Sequence, residues 1–305
     1  MPIKIIEGLP VREHLHNENV YTIEEHRAHT QDIRPLRILI LNLMPKKEET
    51  ELQLLRLLGN TPLQIDVDFM HMNSHISKNT HTSHLQKYYH TFREITDRRY
   101  DGMIVTGAPV EKLDFHEVDY IDELRDMMKW SETHVFSRFF ICWGAQFALN
   151  HYFGIQKFLL SDKLFGVFDY DNLKPGHPLL RGFDDVYRVP QSRHAQIDYK
   201  AVQHTKGLEI LTSNDRFGPD IMSTGDQRDL FVLGHLEYGR NTLGEEYERD
   251  LRTGGKILPP CNYFIQDDPT SRPLFSWKSH AHLLFSNWIN ETYQNTYYDL
   301  THLEE

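Results

Sequence analysis

The 305-residue chain is 39% hydrophobic and 25% charged, the balance of an ordinary globular protein with room for a sizeable core. Its net charge of −11, from 44 acidic against 33 basic residues, argues against a nucleic-acid partner, though a local cluster of Lys and Arg could still hold a small anion. Two cysteines cannot build a disulfide framework, no apolar stretch reaches bilayer length and MPIKIIEGLPVREH lacks a leader's apolar core, so the expectation is a cytoplasmic protein without a membrane partner, holding Cys142 and Cys261 as reduced thiols.

Residues 1–34 are polar and unpatterned, with Pro2 and Pro10, and read as an N-terminal extension packed on a main body. RILILNLM (37–44) is a short apolar run of the kind buried on both faces of a sheet, ended by Pro45. KKEETELQLLRLLGN (46–60) reads as a helix with Leu52, Leu55 and Leu58 on one stripe and Gly59 as its stop, and PLQIDVDFM (62–70) as the next strand.

HMNSHISKNTHTSHLQKYYH (71–90) carries His71, His75, His81, His84 and His90. His71 and His75 stand four apart, a spacing that helical metal sites use. No HExxH occurs, however, no cysteine is near, and Ser, Asn and Thr interrupt a helix, so the segment reads as a polar loop without a metal.

YDGMIVTGAP (100–109) is a strand that runs straight into the glycine-containing loop TGAPVEK (106–112). An amphipathic helix follows at 117–130, then a strand at HVFSRFFICW (134–143) and a further helix. Strands are expected at VYRVP (186–190), LEILTSN (208–214) and DLFVLGHLEYG (229–239), and helices at 242–254 and 279–294. The last helix has Ala281, Leu284, Phe285 and Trp288 as its buried stripe. Strand and helix alternating at this spacing argue an α/β fold, an open and mostly parallel sheet flanked by helices. No linker divides the chain, so a single domain is expected over 35–298, followed by a polar tail at 299–305.

In such sheets chemistry gathers at the C-terminal ends of the strands. Cys142 stands where an apolar strand must turn into a helix, above the amides of the helix's first turn. Those amides stabilise negative charge on the sulfur, the Trp143 N–H can donate to an oxyanion, and Gly144 permits the close backbone approach that this corner needs. Cysteine is also among the most buried residue types, so this stretch by itself suits a structural cysteine as well. A nucleophile needs a base and the base an orienter. In LGHLEYG (233–239), His235 and Glu237 lie two apart on an expected strand and so project to one side, where the carboxylate can fix the imidazole's tautomer. Neither a P-loop nor a strand followed by GxGxxG is present, which argues against nucleotide-driven or dinucleotide redox chemistry.

The strand-end cysteine in CWGAQ (142–146) together with HLE (235–237) is similar to the class I glutamine amidotransferases, whose fold is flavodoxin-like. Those enzymes carry Gly two residues before the nucleophile and Pro between the His and Glu, where this chain has Phe140 and Leu236. The whole chain from MPIKIIEGLPVREHL to about Tyr298 resembles the homoserine O-acyltransferases built on that scaffold. The resemblance is carried by LNLMPKKEETELQLLRLLGNTPLQ, TGAPVE, FFICWGAQ, DKLFGVF, VPQSRH, LGHLEYG and SHAHLLFSNWINETYQ.

That resemblance implies a ping-pong acyl transfer from acyl-CoA to L-homoserine for methionine biosynthesis. Cys142 is the acyl-carrying nucleophile, His235 the base and Glu237 its orienter. It also implies Lys47 near the oxyanion site, Lys163, Ser192 and Arg249 as substrate contacts, no retained cofactor and no metal, and a homodimer. By sequence alone Lys47, Lys163 and Arg249 would pass for surface cations.

Within the family, glutamate at the position of Glu111 goes with acetyl transfer and glycine with succinyl transfer. The physics has the same direction, because a glutamate there fills space and repels succinyl's terminal carboxylate. Acetyl-CoA is therefore the expected donor. Succinyl-CoA is the alternative, followed by glutamine amidotransfer; a regulatory protein with a dead triad finds no support, since Cys142, His235 and Glu237 are all intact.

Overall fold

Alternation decides how the apolar runs pack. Ile38 and Ile40 of the first long strand lie in one buried cluster with Leu54, Leu55, Leu58, Phe285 and Trp288. Leu39 and Leu41, pointing the other way, lie in a second cluster with Leu124, Met128, Trp143 and Phe147. A strand whose two faces are both covered reads as a continuous apolar run, and the chain becomes a sheet between two helical layers. The computed structural model describes residues 3–6, 9–17, 22–24, 34–74, 80–254 and 257–304.

The main sheet contains β1 (Ile3–Ile5), β2 (Thr22–Glu24), β3 (Leu36–Leu41), β4 (Ile65–Met70), β5 (Tyr89–His90), β6 (Tyr100–Val105), β7 (Val135–Ile141), β10 (Leu208–Ile210), β13 (Ile221–Thr224) and β14 (Asp229–Val232). Its spatial order is β10-β13-β14-β7-β6-β3-β4-β1-β2, with β5 beside β4. The five central strands, β4-β3-β6-β7-β14, are parallel. Counted in chain order that is 2-1-3-4-5, the flavodoxin-like order, whose switch point lies between β3 and β6. The segment ahead of residue 35 supplies β1 and β2, both parallel, to one edge, and Leu9, Val11 and Leu15 of this segment are buried in the first cluster.

Among the described residues the α-helices of seven residues or more are α1 (Val11–Asn17), α2 (Lys47–Leu58), α3 (Thr82–Tyr88), α4 (Ile121–His134), α5 (Trp143–Phe153), α6 (Thr242–Arg252) and α7 (Lys278–Asn295). Glu48 and Glu49 in the first turn of α2 and Arg56 in its last complement the helix dipole. Its fully buried residues include Leu54, Leu55 and Leu58, while Leu52 of the expected stripe is only half-buried. The stripe of α7 is as the sequence suggests, with Ala281, Leu284, Phe285 and Trp288 all buried.

A second, antiparallel sheet stands against the C-terminal edge of the first. It is built from β8 (Lys157–Asn172), β9 (Val186–Ile197), β11 (Thr212–Asn214) and β12 (Gly218–Pro219), in the order β12-β11-β8-β9. Three sequence readings change here. The strand expected at 186–190 runs on to Ile197. The strand expected over 208–214 is two strands in two different sheets. Residues 157–172 form a strand that the sequence does not announce, because a register shift between Leu159 and Leu164 breaks the alternation and leaves Phe158 and Leu159 half exposed.

The histidine-bearing segment also differs from a plain loop. His75 lies outside the described residues, but Thr82–Tyr88 is helical and His84 is buried, its Nε2 2.8 Å from Glu51 Oε1. Among the described residues no helix is long and apolar enough to cross a membrane.

Candidate active site

The turn from β7 into α5 carries Cys142 at φ 51° and ψ −114°, outside the regions that L-residues favour. Such a backbone costs on the order of 1–3 kcal/mol and persists only where its surroundings fix it. Here the Cys142 N–H donates to Val232 O at 2.7 Å, tying the corner to β14, and its carbonyl accepts the first helical bond, from Gln146 N at 3.0 Å. Gly144 completes the arrangement, since a Cβ there would fall 2.7 Å from Thr106 O and 2.9 Å from Val105 O. The first turn of α5 therefore lies directly on the end of β6, and Trp143, stacked on Phe147 at 5.7 Å, fills the space behind it. At the first helical position the Trp143 N–H has no intrahelical acceptor. Both cysteines are free thiols, Cys142 buried and Cys261 exposed.

His235 and Glu237 do not lie on a strand. β14 ends at Val232, and 233–239 is a loop closed by Tyr238 N donating to His235 O at 3.1 Å. The two side chains meet all the same, with His235 Nδ1 2.7 Å from Glu237 Oε1 and both residues buried. Nδ1 being held by Glu237, Nε2 is the ring nitrogen left to face Cys142, which packs on Gly107 together with the ring. Burial pushes the imidazole's proton affinity down, but the charges and hydrogen bonds of Cys142 and Glu237 outweigh it, and the pKa stands well above the usual histidine range.

The His235 loop is anchored from three directions. Its N–H donates to Pro190 O at 2.8 Å on β9, Gly234 N donates to Asp220 Oδ1 at 2.7 Å, and Trp277 Nε1 donates to Tyr238 O at 2.9 Å. Asp220, fully buried, also accepts from Tyr187 OH and Gln191 Nε2, and burial raises its pKa.

Tyr238 links the triad to the expected substrate contacts. Its ring stacks on the His235 ring with centroids 4.1 Å apart, and its hydroxyl donates to Glu246 Oε1 at 2.8 Å. Ser192 Oγ donates to the other oxygen of Glu246, and Lys163 Nζ lies 3.6 Å from that oxygen and 3.2 Å from Asp250 Oδ2. Arg249 is half exposed and pairs with Asp250, Nε at 2.9 Å and Nη2 at 2.8 Å. Lys163, Ser192 and Arg249 are thus brought together around Glu246 and Asp250, two carboxylates that the sequence reading passed over. A cavity of about 510 Å³ opens beside Lys163 and Asp250, lined also by Lys112, Leu159 and His194. A larger cleft of about 1250 Å³, between α1, α2 and residues 239–242, contains none of the triad.

Three further residues stand at the same edge of the sheet. Gly107, just past β6, is packed on the pair: a Cβ there would lie 3.3 Å from Cys142 Cβ and 3.4 Å from His235 Cε1. Glu111, four residues on, is half-buried. Burial raises its pKa, opposed by a backbone hydrogen bond from His194 and by the charges of His235 and Lys163. Lys47, at the start of α2 beyond β3, is buried and donates from Nζ to Asn42 O; burial pushes its pKa down to about 8, opposed by Glu51. Glu51 also accepts from Tyr89 OH, and Asn42 Nδ2 donates to Tyr89 OH, so His84, Glu51, Tyr89 and Asn42 form a buried network around Lys47.

Comparison with known proteins agrees with this picture. Residues 2–298 match the family described as homoserine O-succinyltransferase. The homoserine O-acetyltransferase of Acetivibrio thermocellus is 52% identical over 305 residues, all of both chains. That of Brevibacillus brevis is 50% identical over 98% of each, and that of Streptococcus pneumoniae is 49% identical over 100% of this chain and 98% of its own. Among solved structures, a glutamine amidotransferase from Thermotoga maritima superposes with a TM-score of 0.53 at 13% identity, over 85% of this chain and 99% of that one. One from Methylobacillus flagellatus gives 0.53 at 10%, over 85% and 95%. At such identities these two establish a shared amidotransferase-like fold and nothing more.

Proposed function

The chain belongs to the homoserine O-succinyltransferase family and is a homoserine acyltransferase, and from that premise we propose that it carries an acetyl group from acetyl-CoA to the γ-hydroxyl of L-homoserine through a thioester on Cys142. The observation that carries the reading is the strained corner that sets Cys142 beside His235, both packed on Gly107, with His235 itself held by Glu237.

In the first half-reaction the Cys142 thiolate attacks the thioester carbonyl, the bond to the CoA sulfur breaks, and His235 gives its proton to the departing thiolate. Neutralising Cys142 removes the charge that kept His235 protonated, leaving a neutral imidazole for the second half. His235 then takes the γ-hydroxyl proton of homoserine, whose oxygen attacks the acyl carbon and frees Cys142 as thiolate. Glu237 holds the imidazole with Nε2 toward both reacting groups. The Trp143 N–H and the Lys47 ammonium are the donors for the oxyanion. Homoserine carries a carboxylate suited to Lys163 and Arg249 and an ammonium suited to Glu246 and Asp250, with Ser192 beside them. CoA enters and leaves as a substrate, so no retained cofactor or metal is invoked. The setting proposed is methionine biosynthesis in the cytoplasm, by a homodimer of single-domain chains.

Incubation of the purified protein with acetyl-CoA and L-homoserine tests the reading. It should yield O-acetyl-L-homoserine and free CoA in equal amounts. Ammonia release from glutamine without that product would move the chain to the amidotransferases.

Glu111 sets the donor in this account. Succinyl would bring a second carboxylate into a half-buried place whose burial already disfavours charge. At ~4 Å and an effective dielectric of ~20, two such charges repel by about 4 kcal/mol, enough to decide between donors. Glu111→Gly should raise kcat/KM for succinyl-CoA relative to acetyl-CoA by about 10- to 100-fold. Rates with the two donors measure it, and an unchanged ratio would refute the assignment.

Lys47 gives a pH signature. With its pKa depressed to about 8, the ammonium is charged below that pH and neutral above it. If that charge stabilises the oxyanion, the rate of CoA release should fall as pH rises through about 8, and Lys47→Arg should move the fall to higher pH because arginine stays charged. An arginine variant with the same alkaline limb as the parent would remove Lys47 from the charge-stabilising role.

A further inference from the structure

Lys157, the first residue of β8, is fixed by its pairing with Ile197 of β9. Its Nζ donates to two main-chain carbonyls of the loop that follows β6, Glu111 O and Leu113 O, both at 2.7 Å. The ammonium also lies 5.2 Å from the centroid of Phe115, whose ring meets Trp143 at 6.0 Å and Phe147 at 5.9 Å in the helix behind the nucleophile. One cation thus joins the second sheet, the Glu111 loop and the Phe115 ring that packs on α5.

The ends of this loop are held by other groups. At its start, Thr106 N donates to Leu41 O, Leu43 N donates to Thr106 Oγ1, and Gly107 packs on Cys142 and His235. At its end, Asp114 N donates to Glu117 Oε2 in a capping box. Between them a turn closes with Leu113 N on Val110 O, and Lys157 binds the carbonyls of that turn, Glu111's own among them. The backbone of Glu111 is therefore referenced to β8.

We propose that Lys157 is a positioning residue for donor choice: by clamping the carbonyls of Glu111 and Leu113 it holds the Glu111 carboxyl where the acyl chain of the donor must lie. This rests on the reading of Glu111 given above. Lys157 touches no reacting atom, so its loss should leave the triad competent and blur the distinction between donors.

The test uses Lys157→Met, which keeps an apolar stem over Phe115, with Lys157→Arg and Glu111→Gly as companions. kcat and KM are measured for acetyl-CoA and succinyl-CoA, and hydrogen exchange is followed in peptides covering 107–115. Lys157→Met should lower the acetyl-to-succinyl ratio of kcat/KM about tenfold, through donor KM, with kcat for acetyl transfer changed by less than about twofold. Exchange in 107–115 should quicken, the KM for homoserine should hold, and Lys157→Arg should recover most of the ratio. A merely structural lysine would weaken both donors alike. If Glu111→Gly shifts the ratio and Lys157→Met does not, the clamp is wrong and the Glu111 reading stands. If Glu111→Gly leaves it unmoved, the donor reading fails and the clamp's role in specificity fails with it.

Discussion

Cys142→Ala should lower kcat for acyl transfer by about 10⁴-fold or more, with the far-ultraviolet spectrum and melting transition close to those of the parent. The size follows from the route. Without a sulfur there is no covalent acyl carrier, and what remains is whatever binding and the oxyanion donors achieve by holding the two substrates together. The preserved fold follows from the corner's supports, which are main-chain bonds to Val232 and Gln146 and the seat of Gly144 on β6, none of them made by the sulfur. Steady-state rates of CoA release measure the effect. An alanine variant within about tenfold of the parent would mean that homoserine attacks acyl-CoA directly and that Cys142 is a structural residue.

His235→Asn should cost about 10³-fold, and in both half-reactions. Asparagine keeps a polar group in the place of the ring but cannot take the hydroxyl proton of homoserine or hand one to the departing CoA. The sign of the accompanying pH effect is fixed by the causes of the raised pKa. Burial favours the neutral ring, whereas Cys142 and Glu237 favour the charged one. Removing the negative charge of Cys142, by acylation or by Cys142→Ala, must therefore lower the pKa of His235. Nuclear magnetic resonance titration of the ring should show it losing its proton at lower pH in Cys142→Ala than in the parent. A pKa unchanged by that substitution would mean that no thiolate–imidazolium pair exists in the resting enzyme.

The central strands were legible in the sequence because burial on both faces leaves a short apolar run, ILIL in β3 and MIV in β6. The corner at Cys142 was legible for a related reason: an apolar strand, a small residue at 144 and a helix pattern leave the cysteine nowhere but the turn. His235 and Glu237 were read on a strand but stand on a loop, since Leu233 and Leu236 continue the apolar pattern of β14 while the chain has already turned away. What brings the pair together is the loop's anchoring to Pro190, Asp220 and Trp277, contacts between distant positions that no local pattern encodes.

The second sheet was the least visible part. The shift between Leu159 and Leu164 destroys the period-two signal over β8. Residues 208–214 read as one strand, yet Ile210 pairs with Met222 in the main sheet and Thr212 with Asn172 in the second, a division that only tertiary pairing decides. Glu246 and Asp250 fall in the helix expected at 242–254 and were not singled out. Their place beside Ser192 and Lys163 follows from where β9 and β8 run, which the sequence alone did not disclose. The expected partners Lys163 and Arg249 were reached by resemblance, and the carboxylates that hold them only by geometry.

The central claim is a covalent acetyl-enzyme on Cys142, and intact-protein mass spectrometry after brief mixing with acetyl-CoA or succinyl-CoA, in the absence of homoserine, tests it most directly. The parent should gain one acetyl group from acetyl-CoA, lose it when homoserine is added, and gain little from succinyl-CoA, while Cys142→Ala should gain nothing. A parent enzyme that forms O-acetylhomoserine yet never carries the acetyl group, or an alanine variant that carries it as well, would contradict the account.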